Sequence, residues 1–386
     1  MTQALRPMTL PIIHGALLAA ALHLLAAPPA AAQGTAADSP ILVGQSAGFS
    51  GGQAEYAKDV KTGINAALNS ANAAGGIGSR PVRLVTADDG GKRDAVLVNT
   101  RKLVEADKVV ALIGYTSGAG TEGSLAYIQQ AAVPILSPAT GNMGIRESNN
   151  PFIFHTRAGY DDEMRKIIGH VALLGYQRVG LAYLDDVGPA NLKAMTGALA
   201  QYKLTPAVVV GLNRNAEDFT PQVNALIAAN PQLVVFISNA KPIVKVVQGM
   251  RARGYGGQFA TSSFAGSRLV ADLKEQAVGL IMIQVLPQPR KEHLRFHREF
   301  HADMKALAPD VKPNYTILEG YISARVLLEG LRRSGPGVTR AQLVSALESL
   351  PELDYGGYRI RLSKAERNGS RYVDLGVVTE QGRLVF

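Results

Sequence analysis

The sequence of 386 residues contains no cysteine and no tryptophan, and only 6% of its residues are aromatic. Without cysteine there can be no disulfide, thiolate metal site, thiol nucleophile or thiol-linked lipid anchor. A nucleic-acid-binding protein would cluster its positive charge and interleave it with stacking rings, whereas the basic residues here are scattered. We therefore interpret the net charge of +9 as a solvated surface with a weak preference for acidic ligands, and we expect no nucleic-acid partner.

Long apolar runs are also absent after the first 32 residues, so no later segment is expected to span a bilayer. The segment from Leu10 to Ala27 is apolar apart from two histidines, follows Arg6 and precedes the small residues Ala30, Ala31 and Ala32. This pattern predicts a secretory signal peptide over residues 1–32, and hence an exported mature protein. An uncleaved membrane anchor is the alternative, but prolines followed by small residues suit cleavage better.

Strand-length apolar runs and amphipathic helices alternate through most of the remaining chain. The alternation begins at Ile41 and restarts after Arg157, which predicts an α/β fold of two similar lobes with parallel sheets. Three helices then follow one another, and the segments 358–362 and 372–378 are predicted to pair as a closing hairpin. These late elements have no core of their own, so we expect them to pack on the lobes and the chain to cross between lobes more than once.

The stretch from Val109 to Gly141 reads as a β-α-β unit with two polar loops. Each loop leaves the carboxyl end of a strand, the edge at which open α/β sheets bind small ligands. The segment Gly118–Gly123 has the G-x-G-x-x-G spacing of a dinucleotide site, but no acidic residue stands about 20 positions later. The loop can instead offer backbone N–H groups and the Thr116 and Ser117 hydroxyls to a carboxylate, or it can be a tight turn packed on the other lobe.

Two further patterns carry other chemistry. His293, His297 and His301 stand four apart and could ligate a metal, but they flank an apolar stripe and are interpreted as a solvated helix face. Ser50 lies within G-x-S-x-G, yet several residues past its strand and with no histidine in a candidate cleft loop. We therefore predict a binding protein with no catalytic residues, no cofactor and no metal.

The order of several short motifs resembles the type I periplasmic binding proteins of ABC importers, in the Leu/Ile/Val-binding branch. The matching pieces are Ser46 with its glycines, Asn72–Ile77, Asp88-Asp89, Ala111–Gly114, Ser137–Thr140 and Leu318–Tyr321. The resemblance covers about residues 41–386 and implies two Rossmann-like lobes joined by three crossover strands. It implies an N-terminal lobe of 39–158 plus 288–353, and a C-terminal lobe of 159–287 plus 354–386.

The resemblance also implies a ligand held between the lobes. In the first lobe the carboxylate loops correspond to Ser117 with Gly118 and to Ala139-Thr140-Gly141, and an aromatic near the ligand corresponds to Tyr56. In the second lobe the acidic residue that holds an α-ammonium corresponds to the loop Thr261–Ala265, where this chain has serines. The ligand-binding candidates are Ser46, Tyr56, Tyr115, Thr116, Ser117, Gly118, Ala139, Thr140, Gly141, Tyr160, Asp186, Asn239, Ser262 and Ser263.

The implied function is that of the periplasmic substrate-binding protein of an ABC importer, not an enzyme. It would bind a small amino acid or a related amphipathic carboxylate and deliver it to an inner-membrane permease. The alternative is an exported ligand sensor on the same fold that signals to a regulator.

Overall fold

The computed structural model describes residues 1–2, 39–335 and 337–386. The predicted signal peptide therefore lies almost entirely outside the described residues. Within them, no helix is both long enough and apolar enough to cross a membrane.

The first lobe is built on a parallel sheet of five strands. The strand order is β2-β1-β3-β4-β5, and each strand pairs in parallel with its neighbours. The strands are β1 (Ile41–Ala47), β2 (Val82–Asp88), β3 (Ala111–Ile113), β4 (Ile135–Leu136) and β5 (Ile153–Phe154). The helices between them are α1 (Ala54–Ala73), α2 (Arg93–Glu105), α3 (Gly118–Gly123), α4 (Leu125–Gln130) and α5 (Met143–Glu147).

The second lobe is built on a sheet of seven strands. Its order is β14-β13-β10-β9-β8-β6-β7, parallel except where β13 pairs with β10 and β14. The strands are β6 (Val179–Leu184), β7 (Pro206–Leu212), β8 (Leu233–Ile237), β9 (Gln258–Thr261), β10 (Ile281–Gln284), β13 (Asp374–Val378) and β14 (Leu384–Val385). The helices are α6 (Tyr160–Leu173), α7 (Pro189–Ala200), α8 (Thr220–Ala229), α9 (Ala240–Arg251) and α10 (Leu269–Leu273).

Three late helices follow the second sheet's first five strands: α11 (Arg295–Leu307), α12 (Tyr315–Ser334) and α13 (Arg340–Glu348). Helix α12 lies on α1 at very short range. A Cβ built on Gly63 would stand 1.9 Å from the Ile317 carbonyl oxygen, and one on Gly320 would stand 2.1 Å from that of Val60. The chain thus returns from the second sheet to the first lobe, and then again to the second sheet at β13. The two-lobed α/β architecture is confirmed.

The predicted closing hairpin is wrong in its pairing. The first segment contributes β12 (Arg359–Ile360), which pairs with β11 (Leu353–Asp354) across the turn at Gly356 and Gly357. The second segment is β13, whose partners are β10 and β14. Alternation of apolar and polar residues identified strands, but it carries no information about which partner each strand finds.

Candidate functional site

The loops at the carboxyl ends of both sheets face each other across a cleft. Asn239, after β8, donates from Nδ2 to the Gly52 carbonyl oxygen at 3.2 Å, which links the second lobe to the loop after β1. Met143 N donates to Asn191 Oδ1 at 2.9 Å and forms another link between the lobes. The carboxyl ends of parallel strands thus provide both walls of one interlobe site, the position typical of ligand sites in α/β sheets.

The first-lobe wall contains the loops after β3 and β4 in direct contact. Ser117 caps α3 by accepting a hydrogen bond from Gly120 N at 3.1 Å. A Cβ on Gly118 would stand 2.9 Å from Thr140 Oγ1, and one on Gly141 would stand 2.5 Å from the Tyr160 ring. Thr140 Oγ1 accepts from Asn142 N and lies 3.2 Å from the Tyr160 hydroxyl. The structure thus brings Ser117, Gly118, Ala139, Thr140, Gly141 and Tyr160 together.

Three aromatic rings cluster beside these loops, and two of them, Tyr56 and Phe264, line a cavity between the lobes. Tyr56 contacts Phe264 edge to face, with ring centroids 5.6 Å apart, and Tyr160 lies 6.4 Å from the same ring. The Tyr56 hydroxyl donates to the Ala139 carbonyl oxygen at 3.1 Å. Burial, followed by the nearby Glu319 carboxylate, raises the pKa of Tyr56, so its hydroxyl stays protonated and able to donate. An apolar wall with a few fixed hydroxyls suits an amphipathic small molecule.

A buried ionic network occupies the loop after β9. Arg157 pairs with Glu163 at 2.6 Å and with Glu319 at 3.1 Å, and it also contacts the Ser263 hydroxyl. Burial by itself would lower the pKa of Arg157, but the two carboxylates raise it overall, so the guanidinium stays charged. Ser263 N and Oγ donate to Glu163 at 2.7 and 2.9 Å. The polar groups of Ser263 are therefore already paired with Arg157 and Glu163.

A second ion pair lies at the other side of the cleft. Arg214, after β7, donates from Nε and Nη2 to the two carboxylate oxygens of Asp186, each at 2.7 Å. The Arg214 side chain is only 4% exposed, whereas that of Asp186 is 28% exposed. This fork neutralises Asp186, which is consequently poorly suited to hold a ligand ammonium.

Several buried polar atoms in this region lack partners in the described chain. They are Nε2 and Oε1 of Gln53, Oδ1 of Asn239, Oγ of Ser262 and Nη1 of Arg214. Gln53, Tyr56, Asn239 and Phe264 also line a cavity of about 180 Å³ between the lobes. Buried polar groups are normally hydrogen-bonded, so such a cluster at a cleft indicates a site completed by a ligand or by water.

Other predicted residues lie away from the cleft or are engaged within the first lobe. Tyr115 was predicted to bind ligand, but it is fully buried in an apolar cluster with residues of α2 and α4, and its hydroxyl lies 3.2 Å from Thr100 Oγ1. Ser46 Oγ donates to Asp89 at 2.9 Å, and Thr116 Oγ1 accepts from Gly48 N at 3.2 Å. Position at a strand end did not reveal which face each side chain takes.

The histidines on α11 differ from one another in exposure. His297 is fully buried beside Phe296, which corrects its assignment to a solvated face. Helix α11 lies under the turn of β11 and β12, so that Gly356 covers the His297 ring. Across the described residues, no three histidine, aspartate or glutamate side chains are grouped so as to hold a metal ion.

Sequence reasoning missed Gln53 and Arg214 as cleft residues. Both follow strand ends, the one signal that could have selected them. Arg157 stands at the predicted boundary between the lobes, Phe264 in the loop Thr261–Ala265 and Glu319 in the motif Leu318–Tyr321. Nothing in the sequence showed that these three segments meet. Their roles depend on contacts between residues more than 100 positions apart, such as Arg157 with Glu319 and with Ser263.

The family model described as "Periplasmic binding protein" matches residues 40–383, nearly the whole described chain. The chain belongs to the periplasmic binding protein family. Members of this family bind solutes, so the protein is a binding protein rather than an enzyme, and family membership implies a periplasmic location. A relative named "Amino acid binding protein" from Pseudomonas aeruginosa is 24% identical over 228 residues, which span 58% of this chain and 61% of that protein.

Solved structures share the fold of this periplasmic binding protein. A substrate-binding periplasmic protein from Ralstonia solanacearum has a TM-score of 0.83 and 30% identity, covering 89% of this chain and 99% of that one. A possible leucine/isoleucine/valine-binding protein from Rhodopirellula baltica has a TM-score of 0.85 and 22% identity, with coverage of 92% and 98%. An ABC transporter solute binding protein from R. palustris, solved in complex with benzoate, has a TM-score of 0.79 and 17% identity. The match covers 90% of this chain and 95% of that one.

Proposed function

We propose that this periplasmic binding protein is the substrate-binding component of an ABC importer. It binds a small amino acid or a related amphipathic carboxylate between its lobes and delivers it to an inner-membrane permease. The observation that carries the proposal is a cavity between the lobes that is lined by Gln53 from the first lobe and Asn239 from the second, whose buried side-chain atoms Nε2 and Oε1 of Gln53 and Oδ1 of Asn239 have no partner in the described chain. Export through a cleavable signal peptide over residues 1–32, without a lipid anchor, is part of the same proposal.

The first-lobe loops would hold the carboxylate. Ser117, Gly118 and Thr140 lie together there, and the absence of a side chain on Gly118 lets the Thr140 hydroxyl and the Asn142 amide approach the start of α3. Tyr56, Phe264 and Tyr160 would contact the apolar part of the ligand. Names of related proteins support this class of ligand: the relative from P. aeruginosa is called an amino acid binding protein, and the R. palustris structure contains benzoate.

The charge pairs around the contact between the lobes favour a carboxylate that lacks an ammonium group. Glu163 and Glu319 are paired with Arg157, and Asp186 is paired with Arg214. An ammonium ion entering this region would have to compete with a guanidinium for its carboxylate partner. An uncharged polar group avoids that competition.

Ligand binding would act by shifting a population. A ligand that contacts both walls stabilises the closed arrangement over the open one, because only the closed form offers all its contacts at once. The permease would then distinguish closed from open protein. A regulator in place of a permease is the alternative partner, and ligand-dependent docking to permease-containing membranes separates the two.

The decisive experiment is to purify the mature protein, denature it and identify the released small molecule by mass spectrometry. We expect a small carboxylate that, when added back, raises the thermal midpoint of ligand-free protein. A released nucleotide or sugar without a carboxylate would contradict the proposal. Turnover of the added molecule would also contradict it.

A further inference from the structure

The loop after β7 brings Arg214 to the contact between the lobes, and one of its donor nitrogens has no acceptor in the described chain. Two of its three nitrogens bind Asp186, while Nη1 is buried and finds no acceptor in the described parts of the chain. Leaving a buried guanidinium N–H without an acceptor costs free energy. An acceptor from outside the described chain would complete this arginine.

Neighbouring groups in the same place are also incomplete. A Cβ built on Gly52 would lie 3.4 Å from the Arg214 carbonyl oxygen and 3.6 Å from Asn239 Nδ2, so the loops after β1, β7 and β8 meet there. Asn239 Oδ1 and both side-chain polar atoms of Gln53 lack partners. Gln53 and Asn239 line the cavity between the lobes, and Arg214 belongs to the loop that adjoins it at Gly52. Amide donors and acceptors with a neighbouring guanidinium can bind a hydroxyl, carbonyl or amide oxygen.

This place is separate from the proposed carboxylate loops. Arg214 lies over the loops after β1 and β2, because its Cδ is 3.9 Å from a Cβ built on Gly91. Ser117 and Thr140 follow β3 and β4, and the strand order is β2-β1-β3-β4. Adjacent strands lie about 4.8 Å apart, so the two polar regions are about 10 Å apart.

The charge balance selects the group that fits. Asp186 already neutralises Arg214, so a second carboxylate would leave excess negative charge in a buried site. An ammonium group has only donors and cannot accept from Nη1. An uncharged oxygen satisfies both conditions.

We propose that Arg214, with Gln53 and Asn239, forms a second polar subsite for an uncharged oxygen at the end of the ligand remote from its carboxylate. This rests on the proposed function, in which the first-lobe loops hold the carboxylate. The ligand class is then a carboxylate with a distal hydroxyl or amide oxygen, rather than a branched-chain amino acid with an apolar side chain.

Matched probes test the subsite by calorimetric titration of ligand-free protein. Benzoate and 4-hydroxybenzoate differ by one distal oxygen, and leucine and asparagine differ by an apolar or amide end of similar shape. We expect the oxygen-bearing member of at least one pair to bind about tenfold or more tightly, and R214M to reduce that preference to within about twofold. The double variant R214M/D186N, which leaves no unpaired carboxylate, should give the same result if R214M alone folds poorly.

R165M is the matched control, because Arg165 forms ion pairs on an exposed face of α6 and should retain the preference. Equal or tighter binding of both apolar probes would overturn the inference, as would a preference that survives in the double variant. Binding of none of the four probes would also overturn the ligand class stated here. Identification of the released molecule by mass spectrometry tests the proposed function separately. A released carboxylate without a distal oxygen would contradict the second subsite but support the proposed function.

Discussion

Arg157 donates from Nη1 to Glu319 Oε1 at 3.1 Å and so joins residues 162 positions apart in the sequence. Arg157 lies in the segment between the two sheets, and Glu319 lies on α12, which packs on the first lobe. The same guanidinium also binds Glu163 on α6 of the second lobe. One buried cation therefore connects groups from both lobes at the point where the chain crosses.

Loss of this cation should strongly destabilise the protein. R157M leaves Glu163 and Glu319 buried without their partner, and we expect it to lower the free energy of unfolding by about 3–5 kcal/mol. Chemical denaturation measures the change. R165M, which removes an exposed arginine from α6, should cost less than about 1 kcal/mol. Equal effects of the two variants would contradict a structural role for the buried network.

Replacing glycine by alanine should have opposite effects on stability at Gly63, in the contact between α1 and α12, and at Gly197, on α7. G63A forces a methyl group against the Ile317 carbonyl oxygen, and we expect a loss of about 1–3 kcal/mol or more. G197A, on an exposed position of α7 with nothing within 4 Å, should gain about 0.5–1 kcal/mol. Thermal and chemical unfolding measure both. A neutral G63A would show that the helices separate easily.

The S262A variant should weaken ligand binding without lowering the stability of the fold. Its hydroxyl is buried and has no partner in the described chain, so S262A should leave the free energy of unfolding unchanged or raise it by up to about 1 kcal/mol. The same variant should weaken binding of the released ligand about tenfold. Calorimetry and denaturation measure the two effects.

Ser323 is the matched serine for that experiment. Its hydroxyl donates to the Glu319 carbonyl oxygen at 2.7 Å and can accept from the Ser137 hydroxyl, 2.8 Å away, so S323A should lower stability by about 1–2 kcal/mol. Unchanged ligand affinity in S262A would remove Ser262 from the binding site.

The burial of His155 predicts that the protein loses stability in acid. Burial, with Arg146 and Arg157 nearby, holds the pKa of His155 well below 6.5, so the folded state keeps the ring neutral while the unfolded state takes up a proton. Stability contributed by the neutral ring is complete above pH 6.5 and is lost as pH falls below it, at up to about 1.4 kcal/mol per pH unit. Denaturation between pH 7 and pH 5 measures the slope, and H155N should reduce it. The same slope in H155N would assign the effect to other groups.

Most of the fold was predictable from local pattern. The alternation of strands and helices predicted both parallel sheets, because apolar runs of strand length and helical stripes differ in period. The closing hairpin was mispredicted because a strand's partner is a distant choice: β13 pairs with β10, which lies about 90 positions earlier. The positions of the strand ends predicted where the cleft lies. They did not predict that the Tyr115 side chain points into the core, because packing decides which side of the sheet a side chain takes.

The sequence by itself determined the two-lobed class and the edge of each sheet that carries the polar loops. It did so through hydrophobic period and through the glycine and hydroxyl content of segments such as Gly114–Gly120, which act locally. Only the tertiary structure decided which charges are free. It pairs Asp186 with Arg214 and Ser263 with Glu163, and it leaves the Gln53 side-chain amide, Asn239 Oδ1 and the Ser262 hydroxyl without partners in the described chain. Pairing of charges depends on distances across the cleft, and no local pattern encodes those distances.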